Sequence, residues 1–362
     1  MQNLGQFHRR LVDQGPKNPL EKLLLYLLIP LSVLYGLLMW ARSILYRAGV
    51  LSVTNSRIPV ISVGNLSAGG TGKTPFVDYL LSYFEQKGFR PAVVSRGYGG
   101  RFSGRLAIVS DVKKAAPDAS YYGDESCLLA CKHPQALVVI APKRRDAINW
   151  INTEKKADVI ILDDAFQHLQ AGRDLDIVLL DAARPFGNNY LLPAGLLREF
   201  PAALKRADLL VLTRAKTADK KLTFENTPTV SCAHQIAEQL KSLDGEVVNT
   251  EDIAGMRGAA FAGIAGPEAF FKGLVGMGLD LYDTCSFSDH QHYNPELLAQ
   301  LSELKDRVDY YVTTEKDAVK ISALDLPRPC YVAQLKIVLL EDSEMEVRKT
   351  LETICDRIND EQ

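Results

Sequence analysis

The chain has few residues of the kinds that would hold it together by covalent staples or drive it to a polyanion by bulk charge. Six cysteines in 362 residues, at positions 127, 131, 232, 285, 330 and 355, form no CxxC pair and have no histidine at zinc spacing. That excludes a small disulfide-stapled module and points to reduced thiols in a cytosolic setting. Charge of one sign is also missing: 42 basic against 44 acidic residues leave −2, so the broad basic footprint of a general nucleic-acid binder is absent. No low-complexity segment and no internal repeat is found. What remains is an ordinary globular composition, 47% hydrophobic and 24% charged, long enough for about two domains and a sizeable core.

One stretch departs from that ordinary character. From Leu23 to Ala41 the chain reads LLLYLLIPLSVLYGLLMWA without a charge, which meets the length of about 18 apolar residues expected of a membrane span. Pro30, Ser32 and Gly36 interrupt it, and basic residues flank both ends: Arg9, Arg10, Lys17 and Lys22 before, Arg42, Arg47 and Arg57 after. With no asymmetry to orient a span, a helix or kinked hairpin lying in one membrane interface is expected, both ends on the same side. No A-x-A-like cleavage site follows, which argues against a signal peptide. The bland alternative is a buried core helix, but the run is longer than most of those.

Beyond it, short apolar runs alternate with helical stretches, the pattern of a mostly parallel sheet with crossover helices. Strands are expected at 59–63, 92–95, 136–141, 159–162, 177–180 and 209–213, and helices at 75–87, 124–132 and 143–152. The polar stretch 216–227 suggests a domain boundary. A second set begins near Gly258 with AAFAGIAGP and continues through strands at 310–314 and 330–335 to an amphipathic helix from Glu344. The expected division is therefore 1–57 as an apolar membrane-contact region, 58–225 as the core, 226–257 as linker and 258–362 as a smaller α/β domain.

The most informative segment is Ile61-Ser-Val-Gly-Asn-Leu-Ser-Ala-Gly-Gly-Thr-Gly-Lys-Thr74, a strand running into a glycine-rich turn and a helix. In such a turn, backbone N–H groups from Ala68, Gly69, Gly70, Thr71 and Gly72 converge on phosphate oxygens, Lys73 reaches the β- and γ-phosphates, and Thr74 can ligate Mg²⁺. Ser67 stands where the strict pattern has its first glycine. A merely structural glycine turn is the competing explanation, weakened by the strand and helix on either side. Val159-Ile-Ile-Leu-Asp-Asp164 then ends an apolar strand in two carboxylates. Asp163 can hold Mg²⁺ directly or through water, although solvated aspartates at a strand end would read the same in isolation. The fold class is thus α/β, a P-loop NTPase-like mostly parallel sheet flanked by helices.

Phosphate loops serve kinases, GTPases, ATP-driven switches and metal chaperones. Thr213-Arg-Ala-Lys216 lacks the aspartate of N/T-K-x-D that reads guanine, which favours ATP. Further phrases follow in order: Ser95-Arg-Gly-Tyr-Gly-Gly100, Gly123-Asp-Glu-Ser126, Asp163-Asp-Ala-Phe-Gln-His168, Arg173-Asp-Leu-Asp-Ile177, Leu191-Leu-Pro-Ala-Gly195 with Leu197-Arg-Glu199, Phe287-Ser-Asp-His290 and Thr313-Thr-Glu-Lys-Asp-Ala-Val319. Together with GGTGKTP they closely resemble the tetraacyldisaccharide 4'-kinase family of lipid A biosynthesis, over most of the chain.

That resemblance implies ATP-dependent phosphorylation of the 4'-hydroxyl of a tetraacylated glucosamine disaccharide 1-phosphate. The protein would work at the cytoplasmic face of the inner membrane, peripheral or monotopic through its N-terminal helix. It also implies a larger phosphate-loop domain and a smaller α/β domain with the site between them. Neither nucleic acid nor an obligate protein partner is inferred. By the same resemblance Asp124 is the catalytic aspartate, a carboxylate able to accept the attacking alcohol's proton, and His290 works with it; helix N-capping is the other explanation for Asp124. Glu125, Asp289, Arg198, Gln167 and His168 are candidates for contacting substrate or supporting the groups that do. Arg198, and Arg144 or Arg145, have the forked geometry that suits phosphate oxygens, and Arg96 can line the nucleotide pocket. The sequence departs from the family pattern at Ser126, Ala165, Leu196 and Phe200, positions that touch loop shape more than charge. The alternative to a kinase is a membrane-associated P-loop ATPase switch or metal chaperone.

Overall fold

The computed structural model describes residues 2–111, 117–217, 224 and 227–361. The polar stretch expected to mark a domain boundary falls largely outside them. Helices α1 (Gln2–Gln14) and α2 (Pro19–Arg47) precede β1 (Val60–Asn65), α3 (Lys73–Gln86), β2 (Pro91–Ser95) and β3 (Ala107–Ser110). Next come α4 (Ala119–Tyr122), α5 (Asp124–Lys132), β4 (Leu137–Ile140), α6 (Arg144–Glu154), β5 (Val159–Asp163), β6 (Leu175–Asp181) and β7 (Leu209–Thr213). The chain continues through β8 (Thr229–Ser242), β9 (Val247–Asn249), β10 (Arg257–Ala262), α7 (Glu268–Gly276), β11 (Asp280–Ser286) and α8 (Pro295–Ser302). It closes with β12 (Tyr310–Thr314), α9 (Glu315–Ala318), β13 (Cys330–Leu339) and α10 (Ser343–Glu361).

Two compact units result, each drawn from separate stretches of chain. The first comprises Met1–Lys73, Arg144–Ala233 and Leu339–Gln362, the second Thr74–Lys143 and His234–Val338. In the first, β8, β7, β6, β1 and β5 lie side by side in that order, every pair parallel. β1, β5 and β7 are buried at every residue, as expected of parallel strands covered on both faces, whose sequences run apolar without alternation. Helix α6 buries Arg144, Ala147, Ile148 and Ile151 at helical spacing, and α10 does the same with Val347, Leu351, Ile354 and Ile358.

Helix α2 belongs to the first unit and inverts the usual amphipathic logic. Its buried residues are Glu21, Ser32, Gly36 and Ser43, whereas Leu27 is 63% exposed, Leu34 56% and Leu38 62%. Ser32 Oγ accepts from the Ala194 N–H at 2.8 Å and donates to the Leu28 carbonyl at 3.1 Å. A Cβ on Gly36 would lie 2.6 Å from the Phe200 ring, so glycine is what permits this approach. Arg42 donates to the Gln167 carbonyl at 3.0 Å. Two of the residues that read as interruptions of the apolar run, Ser32 and Gly36, therefore lie in its docking stripe, and the helix runs unbroken through the exposed Pro30 rather than folding into a hairpin. A leucine-rich face left to solvent over this length marks an interaction surface.

In the second unit β2 pairs parallel to β4, and β3 pairs antiparallel to β4. β11, β10, β12 and β13 form a parallel set in that order, around cores built on Phe261, Tyr310, Tyr311 and Val312. The distal end of β8 pairs antiparallel with β9.

Candidate functional site

The phosphate loop follows β1, which β5 and β6 flank on either side. Gly69 and Gly72 carry φ of 132° and 80°, the conformations that glycine adopts without strain and that bend such a loop around an anion. Neighbouring segments tie the loop down. The Ala68 N–H donates to the Leu196 carbonyl at 2.7 Å and Thr213 Oγ1 to the Thr71 carbonyl at 2.9 Å. Asn65 Nδ2 donates to the Ser67 carbonyl at 2.6 Å, and Arg214 donates to the Gly70 carbonyl. Thr74, partly buried, opens α3 beside Lys73.

At the end of β5 the two aspartates take different roles. Lys73 Nζ lies 3.6 Å from Asp164 Oδ1, and Arg198 Nη1 lies 2.8 Å from the same atom. Burial alone would raise the Asp164 carboxyl, but Lys73 and Arg198 more than offset it and hold it below the ordinary carboxylate range. Asp164 has φ of 49°, a left-handed conformation that costs energy and recurs at functional sites. Gln167 joins the group, accepting from Arg198 at 3.3 Å and donating to the Asn65 carbonyl at 2.9 Å. The His168 N–H closes the turn on the Ala165 carbonyl at 2.8 Å. Asp163 is 4% exposed, and its carbonyl accepts from Arg144 at 2.7 Å. Of the two adjacent arginines, Arg144 is thereby committed to the fold, while the Arg145 side chain is 42% exposed; Arg96 is exposed as well.

The oxygen chemistry here suits Mg²⁺. Among the described residues no three His, Cys, Asp or Glu cluster to hold a metal unaided, so a cation would draw most of its ligands from phosphate and water, as Mg²⁺ does. The Thr71 hydroxyl is buried with no hydrogen-bond partner among the described residues. A cavity of about 470 Å³ opens beside the loop, lined by the α1–α2 turn, Ser67–Thr71, Arg184, Asn188 and Tyr190.

The second unit carries the second cluster. Asp124 is the first residue of α5, and Gly123 is the N-cap without a side-chain cap bond. Asp124 is 5% exposed, and both of its oxygens lie 3.0 Å from His290 Nδ1. His290 adopts φ of 59°, and the Tyr98 ring stands edge-on to it at 5.1 Å. Lys316 Nζ lies 3.1 Å from Asp289, 3.8 Å from Glu125 and 3.9 Å from Asp124, and Lys320 Nζ lies 3.7 Å from Asp124. Burial pushes the Asp124 carboxyl up, but the bond from His290 and the two ammonium groups outweigh it and leave it below the usual range. The bond to Asp124 raises His290 above an ordinary imidazole despite burial.

At the far end of α5, Lys132 bonds Asp78 at 2.8 Å and lies 2.9 Å from Glu315, while His133 bonds Asp78 and Glu85, each at 2.8 Å. Burial would lower His133, but the two carboxylates raise it above the ordinary imidazole value. A raised folded-state value means stabilisation that is complete below the unfolded value of about 6.5 and lost as pH rises through the folded one. His133→Gln is therefore expected to cost about 1–3 kcal/mol at pH 6 and distinctly less at pH 9. Urea unfolding at the two pH values checks this; a pH-independent cost would contradict it.

The sequence phrases thus fall into two groups. Lys73, Asp164, Arg198 and Gln167 come together, as do Asp124, Glu125, Asp289 and His290, the members of the key pair lying 166 positions apart. The departures are absorbed locally: Ser126 Oγ lies 2.6 Å from Ser95 Oγ, Ala165 is fully buried, Leu196 braces the loop and Phe200 seats α2. Asp164, Arg214, Lys316 and Lys320 have no assigned role in the sequence and gain one only from their contacts. Lys316 lies in the phrase Thr313–Val319 and Lys320 directly after it, a phrase to which no role attaches in the sequence.

A parallel sheet with a glycine loop at the end of an interior strand, a lysine closing that loop and carboxylates at the end of the adjacent strand define a phosphate-loop nucleotide-binding protein. Comparison with known proteins narrows the class. A family model described as tetraacyldisaccharide-1-P 4'-kinase matches residues 24–356. The tetraacyldisaccharide 4'-kinase of Syntrophotalea carbinolica is 46% identical over 96% of this chain and 97% of its own, and that of Geobacter metallireducens 42% identical over 94% and 99%. A crystal structure of LpxK from Aquifex aeolicus in complex with ATP is similar at a TM-score of 0.74 and 31% identity, covering 92% of this chain and 99% of its own. The chain belongs to the tetraacyldisaccharide 4'-kinase family.

Proposed function

We propose that the chain transfers the γ-phosphoryl group of ATP to the 4'-hydroxyl of a tetraacylated glucosamine disaccharide 1-phosphate, in lipid A biosynthesis. The observation that carries this reading is the loop Ser67–Thr74 with Lys73 turned to Asp164, a cation that incoming phosphate oxygens can draw away. Arg198, on the same carboxylate, supplies a second. Asp163 and the Thr74 hydroxyl are the protein oxygens for Mg²⁺, which when bound neutralises charge on the phosphates.

Asp124 accepts the proton of the 4'-hydroxyl as that oxygen bonds to phosphorus and the bond to the ADP oxygen breaks. His290 orients Asp124 through Nδ1. The leucine face of α2 dips into one leaflet and keeps the acyl chains of the acceptor in lipid, with the ATP site facing the cytoplasm. The cavity beside the loop has room for a sugar ring.

A matched pair of acceptors tests the reading, the disaccharide 1-phosphate and its 4'-deoxy analogue in mixed micelles. The first is expected to gain one phosphate and the second none. Equal phosphorylation of both would place the reaction at another hydroxyl.

A further inference from the structure

The phrase Thr313–Val319 remains without a function in the reading above, yet it puts an ammonium against the imidazole. Lys316 Nζ lies 3.3 Å from His290 Nε2, and Asp289 Oδ1 anchors that ammonium at 3.1 Å. The opposite nitrogen, Nδ1, has both Asp124 oxygens at 3.0 Å. An ammonium has three donors and no acceptor. A proton on Nε2 would therefore set donor against donor, and a bare Nδ1 would set a lone pair against a carboxylate. One protonation state satisfies both sides.

We propose that Lys316 is a positioning residue that fixes His290 as the neutral imidazole protonated at Nδ1, by donating to Nε2. This deepens the kinase reading and rests on it only for the effect on rate. The groups facing the ring and its partners are Asp124, Glu125, Asp289, Lys316, Lys320, Tyr98 and, beyond Lys320, Asp317 and Tyr293. Four carboxylates here are balanced by two lysines. Without Lys316, Asp124 on one side and Asp289, 3.9 Å from Nε2, on the other favour the doubly protonated ring. An imidazolium binds the Asp124 carboxylate more tightly and makes it a poorer base for the acceptor hydroxyl. The neutral ring orients Asp124 and leaves it able to take the proton.

Long-range ¹H–¹⁵N spectra of the full chain labelled at histidine nitrogens, in micelles at pH 8, read the ring directly, with His290→Gln assigning the signal. The expected wild-type pattern is a protonated Nδ1 and an Nε2 lone pair. Lys316→Met is expected to give the imidazolium pattern at that pH. It should also shift the acid limb of kcat up by about one pH unit and lower kcat at pH 7 by at least about tenfold, with KM for ATP within about twofold. A wild-type ring protonated at Nε2, or a Lys316→Met ring still neutral with its proton on Nδ1, would overturn the proposal. The wild-type spectrum decides even if the variant fails to fold. Absence of phosphoryl transfer by the wild type would strike the kinase reading and leave the ring assignment standing.

Discussion

Lys73→Ala is expected to lower phosphoryl transfer by about 10³-fold or more. One well-placed cation on a transferring phosphoryl group is worth roughly 10³–10⁵ in rate. The effect is larger than simple loss of a contact, because Lys73 is a partner of Asp164, whose carboxyl is held ionised by its cationic neighbours. Removing the ammonium leaves that negative charge beside the loop with Arg198 as its remaining close partner, facing an incoming polyanion. ATP affinity should fall together with rate. Initial rates and ATP titrations measure both; wild-type nucleotide affinity in Lys73→Ala would remove the loop from the account.

Asp124→Asn is expected to separate the two quantities. Asparagine keeps the shape and the hydrogen bond but cannot hold the alcohol's proton, so kcat should drop by about 10²–10⁴-fold, the usual contribution of a positioned base. ATP affinity should stay within about twofold, since the contacts of Asp124 are to His290, Lys316 and Lys320. The pH profile carries a further sign. Asp124 sits below the ordinary carboxylate range and stays ionised throughout the working range, so the acid limb of wild-type kcat belongs to His290, raised above an ordinary imidazole by its bond to Asp124. Activity should fall as pH drops through that raised value. A limb in the carboxylate range would take it from His290 and give it to Asp124 itself, whereas turnover near wild type in Asp124→Asn would remove Asp124 as proton acceptor.

Much of this fold is legible in the residues because parallel strands buried on both faces read as plain apolar runs. The strand Leu209–Thr213 and the helix Asp124–Lys132 fall where expected, to the residue. β8 and β11 are missed for the opposite reason: Thr229–Ser242 mixes buried, partial and exposed positions without alternation, and Asp280–Ser286 is mostly exposed. The docking stripe of α2 is hidden because Ser32 and Gly36 look like flaws in a lipid-facing run until Ala194 and Phe200 are seen against them. Asp124 and His290 are legible through their phrases. The ion pairs that tune them are not, since Lys316 acquires meaning only when α9 brings its ammonium to a ring placed by another loop.

The fate of a labelled γ-phosphate puts the central claim at most direct risk. Wild-type protein given γ-³²P-ATP, Mg²⁺ and the tetraacylated disaccharide 1-phosphate in micelles should move the label into the lipid phase, one phosphate per acceptor. Label recovered only as inorganic phosphate, with the lipid unchanged, would contradict the account and describe an ATPase instead.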